Sequence, residues 1–274
     1  MTASNHAADR VYLALQYARS EHLRVRYETH AQYSEGDVSF LPWVVERLDL
    51  RGGDVVCDIG SGPGAYHSAI AAAGASVIAI DQSAGMLDEA RENAIRHRLD
   101  IRCIRASAER LPLTDAVCDR VLAAHMLYHV QDQQAALREM RRVLLPGGRI
   151  VITANGGGPT RLEAVEAGAA VELGAAPLTA NPARRFSLDS IDIVRSVFSD
   201  ARVDMLDDAL IFPSADPVMR YWHSFADDEA RGDSAREALL PAFDEAMRRQ
   251  IEAVIARDGA FRVAKTAGCF IAGL

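Results

Sequence analysis

Positive charge is in short supply in this chain. Thirty basic side chains stand against 38 acidic ones, a formal charge of −8 and a pI near 5.5. Phosphate binding wants a basic face, so nucleic acid is excluded as a general partner. Lysine is nearly absent: Lys265 is the only one and arginine supplies the remainder, which reads as a coding bias rather than as chemistry. No apolar run approaches the length of a membrane span, which excludes a spanning helix. The opening MTASNHAADR lacks a charged-then-apolar signal pattern, so the expected home is the cytoplasm. Cysteines are few. Cys57, Cys103, Cys118 and Cys269 sit in apolar runs without a CxxC pair, the pattern of small buried hydrophobes in a reduced compartment. Internal repeats, low-complexity tracts and a G-x-S-x-G nucleophile elbow are also missing.

What is present is an ordinary globular composition, 49 % hydrophobic and 25 % charged over 274 residues, long enough to bury a sizeable core. From about Asp54 to Asn155 short apolar runs alternate with amphipathic ones. DVVCDIG, SVIAID, IRCIRAS, CDRVLAAH and GRIVITAN read as strands. AYHSAIAAAG, SAGMLDEARENAIRHR and QDQQAALREMRRVLLPGG have helical spacing, with Gly74 and Pro146-Gly147-Gly148 as stops. Such alternation predicts an α/β fold, a parallel sheet wound on both faces. Residues 5–50 look largely helical. TRLEAVEAGAAVELG predicts a helix, FSLDSIDIVRSVFSDARVDMLDDAL a helix and strand, residues 214–260 more helix, and AGCFIAGL a closing strand. The expected division is a helical lid segment over residues 1–50 and a catalytic domain over 51–274, with lid insertions at about 157–185 and 214–262.

DIGSGPG, Asp58 to Gly64, joins the first strand to the first helix. Its glycines let the backbone turn sharply and approach a ligand closely, and the helix start offers unpaired N–H groups. Asp81 closes the second strand, where a carboxylate can hold ribose hydroxyls. The run also satisfies G-x-G-x-x-G/A, so a nicotinamide-dependent oxidoreductase is a rival reading. Two features weigh against that rival. The Asp58 carboxylate would repel a pyrophosphate, and Pro63 deletes an N–H that a phosphate cradle would use.

Together with AERLPL, HMLYHV and RVLLPGGRIVIT, these blocks resemble the class I S-adenosylmethionine-dependent methyltransferases, in the ubiquinone/menaquinone-methyltransferase-like (type 11) branch. The resemblance covers roughly Val55 to Ala154. It implies a Rossmann-like, mostly parallel seven-stranded sheet with an antiparallel last strand, plus a helical lid. By position it implies that Asp58, Gly60, Ser61, Gly62 and Gly64 line the methionine part of S-adenosylmethionine, that Asp81 holds the ribose, and that Gln82 and Met86 flank ribose and adenine. Ser107, followed by Ala108, stands where the family often has an acidic residue for the adenine amino group.

AAHMLYHV carries His125 and His129 four residues apart. That is the helical spacing of a zinc pair, but no H-E-x-x-H glutamate lies between them, and no metal site is expected. The resemblance puts His125 beside the methionine arm of the cofactor, as a contact or a catalytic group. It implies His129 as a general base paired with an N-terminal tyrosine, Tyr27 or Tyr33, with His30 between them. Tyr33 is alternatively a lid residue on the cofactor carboxylate. Trp43 reads as core, Tyr221 and Trp222 as a roof over the acceptor or as helix packing, and His67 receives no role. The expected activity is methyl transfer to an O or N atom of a small molecule. A cofactor-binding scaffold without catalysis is the reading from a different class.

Overall fold

Side chains two apart build the strands. In β1 (Val55–Ile59), Val56 packs to one side of the sheet while Cys57 and Ile59 pack to the other, as a strand buried on both faces requires. A computed structural model describes residues 21–179 and 185–274. The helical expectation for residues 5–20, and part of the insertion expected at 157–185, lie outside the described residues. β2 (Ser76–Asp81), β3 (Ile101–Arg105), β4 (Cys118–Ala124) and β5 (Leu144–Asn155) join β1 as parallel neighbours. β6 (Arg202–Phe212) and β7 (Phe261–Gly273) complete the order β3-β2-β1-β4-β5-β7-β6, with β7 antiparallel to both its neighbours. The expected seven strands and antiparallel last strand are both found. The strand order reverses between β1 and β4, and the carboxyl ends of that pair open the crevice where α/β sheets take ligands.

The crossover helices are α3 (His67–Ala72), α4 (Ala84–His97) and α5 (Gln133–Val143), preceded by α1 (Glu21–Tyr33) and α2 (Phe40–Leu48). Their starts follow from side chains: Ser83 accepts from the Met86 N–H and Asp132 from the Ala135 N–H, filling N-terminal donors. Two expectations are corrected. The helical pattern of QDQQAALREMRRVLLPGG stops at Val143, because Pro146 cannot extend a helix and pushes the residue before it towards extended backbone. Leu144 instead pairs with Cys118, and the register resumes at Arg120 opposite Arg149. The LPGG turn is therefore a bulge inside β5, with Gly147 at φ +79°.

The closing strand also starts earlier than AGCFIAGL. β5 stops pairing at Asn155 opposite Ala267, while β6 and β7 stay paired out to Phe212 opposite Phe261. Six residues of β7, Phe261–Thr266, thus overhang the sheet as a two-stranded ribbon with Asp207–Phe212. Helices α6 (Arg161–Leu173), α8 (Ala215–Ala230) and α9 (Ser234–Asp258) bury Trp222, Phe243 and Met247 against the ribbon's Phe212, Phe261 and Val263. α6 begins with a full capping box, Thr160 and Glu163, and ends on Gly174 in the left-handed region. The chain after α1 bridges to the ribbon at Leu210, and Glu35 N–H donates to the Ala209 carbonyl at 2.8 Å. α1 is further held by the buried Asp228 of α8, which receives His22 at 2.8 Å and Arg26 at 3.2 Å. α7 (Ile191–Arg195) and α5 cover one face of the sheet, and α2 covers the other through Val44 and Leu48. No helix of the described residues is long and apolar enough to cross a membrane.

Candidate active site

β1 delivers Asp58 to the crevice, and the loop that follows turns on glycines with positive φ: Gly60 at +69°, Gly62 at +53° and Gly64 at +83°. A Cβ on Gly60 would lie 2.7 Å from that of Met126, so only glycine lets the loop rest on the segment after β4. A Cβ on Gly64 would lie 2.3 Å from His67 Nδ1. Gly64 does not reach the cavity wall described below; it makes room for His67 instead.

That room has a purpose. His67 Nε2 bonds Asp58 Oδ2 at 3.0 Å, with both side chains buried. The other carboxylate oxygen, Oδ1, and the Ser61 hydroxyl are also buried and have no hydrogen-bond partner. Buried polar atoms without partners are costly and call for an explanation. Asp81, at the end of β2, accepts from the N–H groups of Gly62 at 2.9 Å and Ser83 at 2.8 Å. Burial nevertheless pushes its carboxyl above the usual range.

These groups open onto one cavity of about 1720 Å³ that runs from the glycine loop to the overhanging ribbon. Asp58, Gly60, Ser61 and Gly62 line it with Asp81, Gln82 and Met86; Ser107 and Ala108, in the turn after β3, line it as well. Ser107 uses its hydroxyl locally, accepting from the Glu109 N–H at 3.3 Å. Met86 also packs as a helix core residue, 2 % exposed. The opposite wall comes from α1, α8 and the ribbon, through Tyr27, His30, Tyr221, Phe225 and Lys265.

Both histidines of AAHMLYHV line this cavity. His125 ends β4 in the left-handed region at φ +50°, a conformation costly for a residue with a Cβ. Its N–H donates to Thr153 Oγ1 at 2.9 Å, and its ring lies 5.4 Å from that of Phe40. Burial lowers its pKa to about 4. His129 closes a short 3₁₀ turn, with its ring 4.4 Å from Tyr128. Tyr33 is a correction: it is not on the cavity wall, and its ring packs on Phe212 at 5.0 Å. Tyr27 and His30, on the neighbouring stripe of α1, do line the cavity. Trp43 is core, as expected.

Three residues received no role from the sequence. His67 has a signal, a histidine nine residues after the loop aspartate, but its reach back to Asp58 depends on the turn. Lys265 donates to His30 Nδ1 at 2.8 Å, Ser34 Oγ at 3.0 Å and Asp208 at 2.9 Å. Its signal was its singularity among arginines. Asp208 meets a burial penalty, which the Lys265 ammonium and the N–H groups of Gly36 and Ala209 together more than offset, holding its pKa at about 2.

Residues 57–152 match the family model described as a methyltransferase domain, Methyltransf_11. The demethylmenaquinone methyltransferase of Corynebacterium urealyticum is 41 % identical over 106 residues, 39 % of this chain and 44 % of that one. The ubiquinone/menaquinone biosynthesis C-methyltransferase UbiE of Syntrophotalea carbinolica is 36 % identical over 110 residues, 39 % of this chain and 46 % of that one. The match thus spans less than half the length of these curated relatives. Over nearly its whole length the fold is similar to that of the [4+2]-cyclase SpnF, with a TM-score of 0.58, 18 % identity and 95 % of each chain covered. A strand-end aspartate, a glycine loop folded against the segment after β4 and a sheet that switches order at that loop agree with the family match: residues 57–152 form a methyltransferase domain, within a fold that resembles the class I S-adenosylmethionine-dependent methyltransferases.

Proposed function

We propose that the protein transfers a methyl group from S-adenosylmethionine to an oxygen or nitrogen atom of a small molecule. The observation that carries this reading is the pair of partnerless buried atoms, Asp58 Oδ1 and Ser61 Oγ, at one end of a single cavity of about 1720 Å³. Ligand pockets usually measure about 300–1,000 Å³, so this space suits a cofactor and a second molecule together. The orphaned carboxylate oxygen and hydroxyl suit the ammonium and carboxylate of an amino-acid moiety, and a pyrophosphate would meet repulsion there. When bound, S-adenosylmethionine supplies an electrophilic methyl on a sulfonium.

The chain's own part is placement. Asp58, with Oδ2 held by His67, accepts from the cofactor ammonium; Gly60 and Gly62 let the backbone approach. Asp81 accepts from the ribose hydroxyls, Gln82 and Met86 flank the ribose and adenine, and Ser107 with Ala108 borders the adenine. Holding an acceptor atom in line with the breaking bond supplies about 7–11 kcal/mol. α1, α6 and α8 serve as the lid and exclude water. His125 stays neutral near pH 7, so its ring suits a contact with an O–H or N–H of the acceptor. His129, on the wall of the same cavity, is the residue we assign to proton removal.

Carbon is the second reading for the acceptor atom, favoured by the C-methyltransferase name of one relative. That likeness ends near residue 152, before the ribbon and α8 that form the acceptor wall. Calorimetric titration with S-adenosylhomocysteine and, separately, NADH tests the cofactor. Micromolar binding of the first alone is expected; binding of NADH alone overturns the reading. Product analysis by mass spectrometry and NMR then distinguishes a methyl on O or N from one on carbon.

A further inference from the structure

The far end of the cavity contains a chain of hydrogen bonds that none of the assignments above uses. Lys265 is an ammonium, a donor of three hydrogens and an acceptor of none. Its three partners are Asp208 at 2.9 Å, Ser34 Oγ at 3.0 Å and His30 Nδ1 at 2.8 Å. Its donors are used up, so Lys265 does not itself meet a ligand. Because it donates to Nδ1, that nitrogen of His30 is the bare one and the ring proton sits on Nε2. Nε2 lies 3.4 Å from the hydroxyl of Tyr221. Tyr221 Oη has no other polar partner among the described residues. Burial raises the pKa of that hydroxyl to about 12 and lowers that of His30 to about 4. Tyr221 and His30 are therefore both neutral: the Nε2–H of His30 donates to Tyr221 Oη, and Tyr221 keeps its own proton to give to the cavity.

We propose that Tyr221, its oxygen held by His30 whose tautomer Lys265 fixes, turns its O–H into the acceptor subsite and recognises a neutral oxygen of the carbonyl type on an otherwise apolar acceptor. This rests on the methyl-transfer reading and names its substrate class. Apolar side chains pack around Tyr221: Phe225 at 5.1 Å and the core cluster of Leu210, Trp222 and Leu162. The Glu166 carboxylate that also lines the cavity is taken up by Thr179 and the Leu178 N–H. An anionic headgroup finds little there, since among the described residues each cation of this end already faces a carboxylate. Lys265 has Asp208, Arg26 has Asp228 at 3.2 Å, and Arg262 has Glu35 at 2.7 Å. Lys265 is a positioning residue, acting through the tautomer of His30.

The test uses three naphthalenes of matched shape: 2-acetylnaphthalene, 2-naphthoate and 2-ethylnaphthalene, titrated into the full chain with S-adenosylhomocysteine present. The ketone is expected to bind roughly three- to tenfold more tightly than the hydrocarbon, the usual worth of one net hydrogen bond, and more tightly than the carboxylate. Tyr221→Phe should abolish the preference for the ketone while leaving the affinity of the hydrocarbon unchanged. Nitrogen-15 NMR of the wild-type imidazoles should show His30 protonated at Nε2, and Lys265→Met should release that tautomer. Equal binding of all three probes, or tightest binding of the carboxylate, overturns the proposal. So does a ketone preference that survives in Tyr221→Phe. The S-adenosylhomocysteine isotherm, recorded on the same samples, reports separately on the methyl-transfer reading.

Discussion

The pair His67 and Asp58 sets the stakes at single residues. Asp58 is 1 % exposed, and one of its oxygens depends on His67 alone. His67→Ala should strand that carboxylate and lower stability by about 1–3 kcal/mol, read as a shift of the urea midpoint with unchanged slope. Excess S-adenosylhomocysteine should recover part of the loss, because a ligand that binds only the folded state stabilises it. Asp81 has two duties, accepting from the loop N–H of Gly62 and, in the proposed function, from the ribose. Asp81→Ala should weaken S-adenosylhomocysteine by about 2–3 kcal/mol in calorimetry; an unchanged isotherm would remove Asp81 from the site. His125 is held at positive φ with a neutral ring, and among residues with a side chain the one that tolerates that backbone without titrating is asparagine. His125→Asn is therefore the substitution that separates its chemistry from its conformation.

Among the elements, α1 is the one held by polar contacts more than by core. Val25 and Thr29 are its buried residues, and its grip on α8 runs through Asp228 with His22 and Arg26. Breaking a buried ion set from one side costs about 3–5 kcal/mol. Asp228→Ala should accordingly raise amide exchange across Glu21–Tyr33 while the strands of the sheet keep their protection. Equal loss of protection in β1 and β4 would mean that α1 is part of the global core. The elements also mark how far the sequence could be read. Five parallel strands and the glycine loop were legible because each depends on neighbours within a few positions. The helical period of α1 puts Leu23, Tyr27, His30 and Ser34 on one stripe, with Tyr33 at its flank. The choice between the two tyrosines was therefore partly legible, although the direction of the stripe was not. The start of β5 was missed because a helix-like pattern overlapped a bulge. The start of β7 was missed because overhang depends on where β5 stops, a pairing between residues more than a hundred positions apart.

For the whole molecule, His30 and His125 couple the cavity to pH. Both are held near 4 in the fold, against about 6.5 for a free imidazole. Between those values the unfolded chain binds more protons, so stability should fall as pH drops from about 6.5 towards 4. Thermal unfolding across that window should show a declining Tm, with a shallower slope in His125→Asn. An identical slope in the two proteins would mean that His125 does not titrate with unfolding. The overhanging ribbon has a consequence of another kind. One uninterrupted segment, 202–273, forms the outer edge of the sheet and also carries Lys265, Asp208 and Tyr221, whereas the family match ends near residue 152. On the proposed reading, much of substrate choice is thus written outside the stretch that handles the cofactor, with His30 of α1 as a second contributor. Exchange of that terminal cassette together with α1 between homologous enzymes would pass on an acceptor preference, and selection could rewrite it without reopening the cofactor loop.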